Sequence, residues 1–504
     1  MSRLLEAIHQ SALTRPDALA LQAGNRSVSY AELVVLVETL AAQLTRYAPR
    51  VLGLLADNGI DWVLADLAAL QSGITVVPLP TYFSSAQLRH AIRSAGIDRV
   101  LTDQPADLCA LTGFLVQDEG IFHGSLHGVR VEPSGGGQVC LPAGTQKISF
   151  TSGTTGAPKG VCLSIASMEH VALSLLGATA ASLEDRHLCV LPLATLLENI
   201  AGVYVPLMAG ATCLLPPLAH VGLSGSSGLD VGMQLSALDG LRATSAILVP
   251  QMLAAEVAAI STGAPRPRAL RYLAVGGGSV SPRLVAHAIS LGLPVHEGYG
   301  LSECASVVAL NRPEDNRPGS VGKPLPHVRV DIAAGGEIVV YGAQFEGYLG
   351  ALAQDPKRPL HTGDLGHLDD DGFLYVTGRK KNVFITSFGR NLSPEWIERE
   401  LLAQQALFQV AVFGEAQPFN VAVIVPHPAM TTAAISSAIA AANAALPDYA
   451  RVAHWVIARS PFTRDNGQLT HNGRPRRTEI AAAYSTKLEC LYQKESLGVL
   501  CSIA

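Results

Sequence analysis

The sequence predicts an α/β fold. A large N-terminal domain of helix-flanked sheets carries a small β-barrel-like subdomain and is hinged to a small α+β C-terminal domain. Three observations lead there. Short apolar runs of strand character alternate with one-sided helical runs through the first 150 residues, the rhythm of βα units over a parallel sheet. Between residues 319 and 375 the pattern turns to short alternating strands broken by Gly and Asp. Beyond residue 381 a smaller unit of helices and strands follows. The reading therefore places 1–380 in one domain, with its β-rich part at about 315–380, and 381–504 in the other. A chain of 504 residues, 48% hydrophobic and 15% charged, with 47 Gly and 30 Pro, can build a large core and many tight turns.

Taken in order, residues 27–33 alternate as a strand and then pass, with Ser29 as N-cap, into a helical pattern that runs to Leu44. Residues 51–55 read as a short apolar strand, 60–72 as a helix and 74–79 as a buried strand stopped by Pro80. The Gly- and Pro-rich stretch 105–145 reads as irregular. Further on, 167–176 reads as a helix, 188–195 as a strand running into a loop, and 245–249 and 272–275 as buried strands. In the last unit, 394–404 and the Ala-rich 431–445 read as helices, with strands at 409–413 and 421–424. The domain boundary falls at 379–382.

Charge and cysteines narrow the class. A formal charge of −5 gives no basic footprint for nucleic acid. The eight cysteines (109, 140, 162, 189, 213, 304, 490 and 501) never pair as CxxC and read as reduced, mostly buried thiols of a cytoplasmic protein. The first ten residues carry Arg3, Glu6 and His9 without an apolar core, unlike a secretory leader. Residues 199–229 hold no Asp, Glu, Lys or Arg, but Pro206, Pro216, Pro217 and repeated glycines break the run. It reads as buried strand and loop, leaving at most peripheral membrane contact.

The stretch around which the chain is organised is Phe150-Thr151-Ser152-Gly153-Thr154-Thr155-Gly156-Ala157-Pro158-Lys159-Gly160. Three glycines let backbone N–H groups approach an anion, four hydroxyls add donors and Lys159 adds a positive charge, a composition suited to a phosphate cradle. No Ser or Thr follows the lysine, so it is not the GxxxxGK[ST] pattern. Three further segments offer matching chemistry. Gly276-Gly277-Gly278 is a turn against which a flat ligand could lie, though most such triplets are turns and nothing more. Tyr299-Gly300-Leu301-Ser302-Glu303 supplies an aromatic face, a hydroxyl and a carboxylate able to hold Mg²⁺; alone, Glu303 would read as a surface or capping residue. Asp364 and Arg379, fifteen residues apart across a predicted hairpin, can hold ribose hydroxyls and phosphate; alone, Asp364 would read as a turn residue.

In this order the segments resemble the signatures of the adenylate-forming superfamily: acyl-CoA synthetases, peptide-synthetase adenylation domains and luciferases. The likeness spans nearly the whole chain. Leu191-Pro192-Leu193-Ala194 with Glu198, and Gly378-Arg379-Lys380-Lys381 with Thr386-Ser387, are most similar to the long-chain fatty acyl-CoA synthetase branch. The resemblance implies an AMP-forming acid–thiol ligase. A carboxylate, here of a medium- or long-chain fatty acid, attacks ATP to give acyl-AMP and pyrophosphate, and the acyl group then passes to CoA or to a carrier-protein phosphopantetheine thiol. It also implies roles. Thr151, Ser152, Gly153, Thr154, Thr155, Gly156 and Lys159 would hold phosphates, and Glu303 the Mg²⁺. Tyr299, with Gly276, Gly277, Gly278, Gly300 and Ser302, would form the adenine wall. Asp364 and Arg379 would hold the ribose, and Lys381 would be the hinge about which the C-terminal domain rotates. An acid pocket lined by Leu196, Leu197 and strand residues 246–249 would follow.

Three positions depart from the family pattern. Arg474 stands where a lysine contacts carboxylate and α-phosphate, exchanging a compact ammonium for a planar fork. Phe388, before Gly389, stands where a glycine lines the pantetheine tunnel, and its ring should narrow that tunnel. Thr195 stands where a histidine often gates the same region. Two of the three bear on the thiol's path. The alternatives are therefore an acyl-adenylate former with an amine or hydroxyl acceptor, and a catalytically weak relative that binds nucleotide or acyl ligands.

Overall fold

The computed structural model describes all residues except 1, 133–138, 152–157, 225–227, 343–344, 352–357, 388–390, 471–472 and 497–504. Two large sheets and a small one make up the N-terminal domain. The nine-stranded sheet runs, edge to edge, Lys323–Pro324, Ser306–Leu310, Val295–Leu301, Tyr272–Val275, Ser245–Leu248, Arg186–Leu188, Thr212–Leu214, Leu19–Ala23 and Arg26–Ser29. Its middle is parallel and its edges are antiparallel. In the eight-stranded sheet, Leu52–Leu55 pairs in parallel with both Val76–Pro78 and Arg99–Thr102. The strand Lys147–Thr151 lies beyond Val76–Pro78. The parallel strands are fully buried apolar runs, as strands covered by helices must be.

Local signals placed the first elements. Ser29 caps the helix Tyr30–Tyr47 in a reciprocal capping box with Glu32, satisfying two helix-end N–H groups. The helix Ile60–Ser72 is buried from Ile60 to Leu70 because it lies between the two sheets. Its C-terminus is Gly73 in the left-handed region.

Two readings of the sequence need correction. The stretch 105–145 is not irregular: it holds the helix Pro105–Thr112 and the hairpin Leu115–His123 with Leu126–Glu132. Its first strand is largely exposed and carries no apolar alternation to read, whereas the second buries Leu126, Val129 and Val131. The apolar run 199–229 is only in part strand and loop. It opens with the π-helix Glu198–Tyr204 and the helix Val205–Ala209, with Pro206 at the start of the latter where a proline is tolerated. Among the described residues no helix is long and apolar enough to cross a membrane. Four of the seven described cysteines are buried and three are exposed, all without disulfides.

The β-rich stretch forms a four-stranded antiparallel sheet in the order Arg329–Ile332, Glu337–Tyr341, Leu360–Leu368, Leu374–Arg379. The strand Phe345–Tyr348 leaves it to pair with Lys159–Leu163 of the eight-stranded sheet. The C-terminal domain is a three-stranded sheet, Leu407–Phe413, Asn420–Pro426 and Val452–Ile457. It carries Pro394–Leu402 and Thr432–Ala445 over one apolar cluster and Arg477–Ser496 over another.

Glu256, on the helix Pro250–Ser261, is fully buried and neither carboxylate oxygen has a hydrogen-bond partner. Burial pushes its pKa up from 4.5 to about 8. The folded state therefore binds the extra proton between those values, and stability falls as pH rises through that window. Glu256→Gln, which removes the charge at constant shape, is expected to leave stability unchanged near pH 4.5 and raise it by roughly 1–3 kcal/mol at pH 8. Urea unfolding at the two pH values measures it. Glu297, also raised to about 8 by burial, keeps part of the slope in the variant.

Candidate active site

Two groups of the predicted site residues are joined by contacts: Tyr299, Asp364 and Arg379 in one, Gly277 and Arg474 in the other. Asp364, only 4% exposed, is the hub. Tyr299 donates its hydroxyl to Asp364 Oδ2 at 2.7 Å, and Arg379 donates Nε to Oδ1 at 2.6 Å. Antiparallel pairing puts Asp364 directly opposite Arg379, so the spacing seen in sequence is a cross-strand pair. Burial, then the Asp364 charge, push the Tyr299 phenol well above its usual range and keep it a donor. A ribose would bind through the carboxylate's remaining lone pairs.

Tyr299 and Gly300 lie at the end of the strand Val295–Leu301, where the register shifts against Ser306–Leu310. A Cβ at Gly300 would collide with the Ser306 carbonyl, which dictates glycine there. Gly276, Gly277 and Gly278 turn out of the neighbouring parallel strand Tyr272–Val275. Gly277 takes φ +82°, a conformation for glycine. Ser302 and Glu303 form the short 3-10 turn Ser302–Cys304 that follows.

Thr151 and Lys159 are cross-strand partners at the mouth of an antiparallel hairpin. Thr151 Oγ1 donates to the Lys159 carbonyl at 3.4 Å. Ser152, Gly153, Thr154, Thr155 and Gly156 lie outside the described residues. Tyr348, which sequence reasoning missed, joins the two ends of the phosphate side. Its hydroxyl donates to Glu303 Oε1 at 2.8 Å, and the Lys159 ammonium sits 5.5 Å from its ring centroid. No sequence motif marks it, because pairing of Phe345–Tyr348 with Lys159–Leu163 is what brings it there. Among the described residues Glu303 Oε2 takes no hydrogen bond, and with Lys159 across the ring the pair could hold a magnesium-bound phosphate.

Arg474 reaches across from the C-terminal domain and donates Nη2 to the Gly277 carbonyl at 3.0 Å. The protein around it, then Arg379, lower its pKa, while Asp364 and Glu395 favour its charge. A second residue missed from sequence, Glu395, pairs with Arg477 at 3.2 Å and with the Asn382 side-chain amide. Asn382 follows the exposed Lys381, and Lys380 on its other side is tied to Glu337 at 3.0 Å. Lys381 is therefore an exposed residue between two anchored ones.

On the channel side, Thr195 is half-buried and its carbonyl accepts from Asn199 N at 3.0 Å. Leu196 is buried in the core, and Leu197 is the neighbour that approaches the Gly276 turn. Phe388 and Gly389 lie outside the described residues. Behind the channel, His187, Cys189 and Glu198 converge in the core. Glu198 accepts from Leu191 N at 3.1 Å and lies 3.1 Å from His187 Nε2, while Cys189 donates to the Gly202 carbonyl at 3.5 Å. The three are partners in a closed polar knot that fixes the π-helix. Gly202 is required beside it, since a Cβ would meet Glu198 and His187.

A glycine turn, a buried carboxylate hub and an arginine reaching over from the C-terminal residues meet at one place. The family model described as AMP-binding enzyme matches residues 8–349, and that of the AMP-binding enzyme C-terminal domain matches 381–496. The chain belongs to the AMP-binding enzyme family, the adenylate-forming superfamily. Among its relatives, the indoleacetate–CoA ligase of Aromatoleum aromaticum is 28% identical over 84% of this chain and 88% of its own length. The long-chain-fatty-acid–CoA ligase FadD15 of Mycobacterium tuberculosis is 32% identical over 44% of this chain. That match spans only 42% of the ligase, less than half its length. An anthranilate CoA ligase solved with anthranoyl-AMP superposes with a TM-score of 0.79 at 18% identity, over 97% of this chain and 98% of that one, a likeness of fold.

Proposed function

We propose that this protein is an AMP-forming acid–thiol ligase. A substrate carboxylate attacks the α-phosphorus of ATP, the bond to the β-phosphate oxygen breaks, and acyl-AMP and pyrophosphate form. A thiol then attacks the acyl carbon, releasing AMP and the thiol proton. The observation that carries this reading is Arg474, held by the C-terminal domain against Gly277 and beside the Tyr299–Asp364–Arg379 cluster. There the lid closes over the place where the adenylate would sit. Catalysis is positioning and charge neutralisation. Thr151 to Lys159 would cradle the β- and γ-phosphates, Glu303 would hold Mg²⁺, and Asp364 with Arg379 would fix the ribose. Bound Mg²⁺ supplies neutralisation of phosphate charge. Lys381 would serve as the hinge between the two half-reactions.

For the acid we propose an apolar substrate, a medium- or long-chain fatty acid, whose pocket would be lined by Leu196, Leu197 and residues 246–249; the apolar character of these residues supports the reading. CoA is the proposed acceptor, with a carrier-protein thiol as the alternative acceptor. Relatives act by name on fatty, indoleacetic and succinylbenzoic acids, so aryl acids belong in the test. Pyrophosphate release is measured across fatty acids of increasing length and aryl acids, with and without CoA. Acid-dependent release with thioester formed only when CoA is present is the expected result. Binding should improve by about 0.8 kcal/mol per buried CH₂ until the pocket ends. No acid-dependent release from any member would refute the reading, and acyl-AMP that accumulates despite CoA would point to a non-thiol acceptor.

Arg474 makes a separate prediction. Arg474→Lys keeps the charge at the lid and is expected to form acyl-AMP at least as fast as wild type. Arg474→Ala should lose tens of fold. Single-turnover pyrophosphate release measures both.

A further inference from the structure

Two arginines of one C-terminal loop grip the N-terminal domain. Arg474 takes the Gly277 carbonyl, and Arg464 lies with its guanidinium carbon 4.7 Å from the centre of the Tyr82 ring. The loop is built to present Arg464. Phe462 is buried, its N–H donates to Gln409 Oε1 at 2.7 Å, and its carbonyl accepts from Gln409 Nε2 at 3.0 Å. Thr463 and Asn466 exchange hydrogen bonds at 3.0 and 3.2 Å, and Gly467 N closes the turn on the Arg464 carbonyl at 2.9 Å. Among the described residues Arg464 Nη1 has no hydrogen-bond partner, and the Tyr82 ring is the contact this cation makes on the N-terminal side.

We propose that Arg464 is a positioning residue of the first half-reaction: stacked on Tyr82, it latches the C-terminal domain so that Arg474 stays at Gly277. The inference rests on the adenylating function proposed above. When the domain turns for acyl transfer, the stack parts, so the latch favours acyl-AMP formation and has no part in thioester formation.

The two half-reactions are measured separately, as single-turnover pyrophosphate release and as thioester formation from synthetic acyl-AMP and CoA. Arg464→Ala is expected to slow the first about tenfold to thirtyfold, the worth of a desolvated cation–π contact, and leave the second within twofold. Tyr82→Leu should do the same, the double variant should add little, and Tyr82→Phe, which keeps the ring, should stay near wild type in the first step. A readout independent of activity is trypsin cleavage at the exposed Lys380–Lys381 hinge, expected to quicken several-fold in Arg464→Ala with unchanged melting temperature. Equal loss in both half-reactions, or additive losses with unchanged hinge cleavage, overturns the latch. If wild type releases no pyrophosphate with any acid, the function reading fails by itself, and hinge cleavage still decides the latch.

Discussion

Glu303→Gln is expected to lower acid-dependent pyrophosphate release by about a thousandfold while leaving the fold intact. Glutamine keeps the shape and an oxygen to accept the Tyr348 hydroxyl, which now reaches Glu303 Oε1 at 2.8 Å. What disappears is the negative charge that would hold Mg²⁺ beside the phosphates. The loss should therefore be eased in part by raising magnesium, a response a merely structural role for Glu303 would not give. Tyr348→Phe separates the parts, since it frees the carboxylate and keeps the ring under Lys159. It should cost only a few-fold. Pyrophosphate release titrated with magnesium tests all three proteins. Wild-type turnover in Glu303→Gln at low magnesium would remove Glu303 from the site.

The second large effect is on stability. Lys147 and Asp66 are each 1% exposed and paired at 2.8 Å in the core beneath the phosphate hairpin. The π-helix completes the pair. Asn199 and Tyr204 both donate to Asp66 Oδ2, at 3.0 and 2.8 Å, and both also meet the Lys147 ammonium. Burial pulls the lysine's pKa down and Asp66 pulls it back. Lys147→Met leaves Asp66 buried without its cation and is expected to cost about 3–5 kcal/mol, read as a fall in the urea midpoint. The paired change Lys147→Met with Asp66→Leu removes both charges and should recover most of that loss. If Lys147→Met alone unfolds at the wild-type midpoint, the pair contributes nothing to stability.

Much of the site could be read from the chain because its parts are local. Gly300 and Gly277 are dictated by backbone geometry that only glycine meets. Helices with strong caps, such as Tyr30–Tyr47, announce themselves for the same reason. In the hairpin over 115–132 the first strand did not, because Leu115–His123 is exposed along most of its length, apolar residues included. The second strand, Leu126–Glu132, does bury Leu126, Val129 and Val131, but it sits in a Gly-rich stretch that reads as irregular. Nor did the π-helix, because its polar Glu198 and Asn199 are buried against core partners and leave no polar face to read.

Tertiary structure alone decided which distant groups meet. Pairing of Phe345–Tyr348 with Lys159–Leu163 brings Tyr348 between Lys159 and Glu303. The closed pose of the C-terminal domain sets Arg464 on Tyr82 and Arg474 on Gly277, across sequence separations that no local pattern spans. By itself, the sequence determined the fold class, the family and the local chemistry of the loops, since these follow from short-range spacing and backbone preference. The tertiary structure decided how the charges are shared: one carboxylate, Asp364, between Tyr299 and Arg379, and another, Glu303, with Tyr348. Such sharing depends on distances of about 3 Å between residues far apart in the chain.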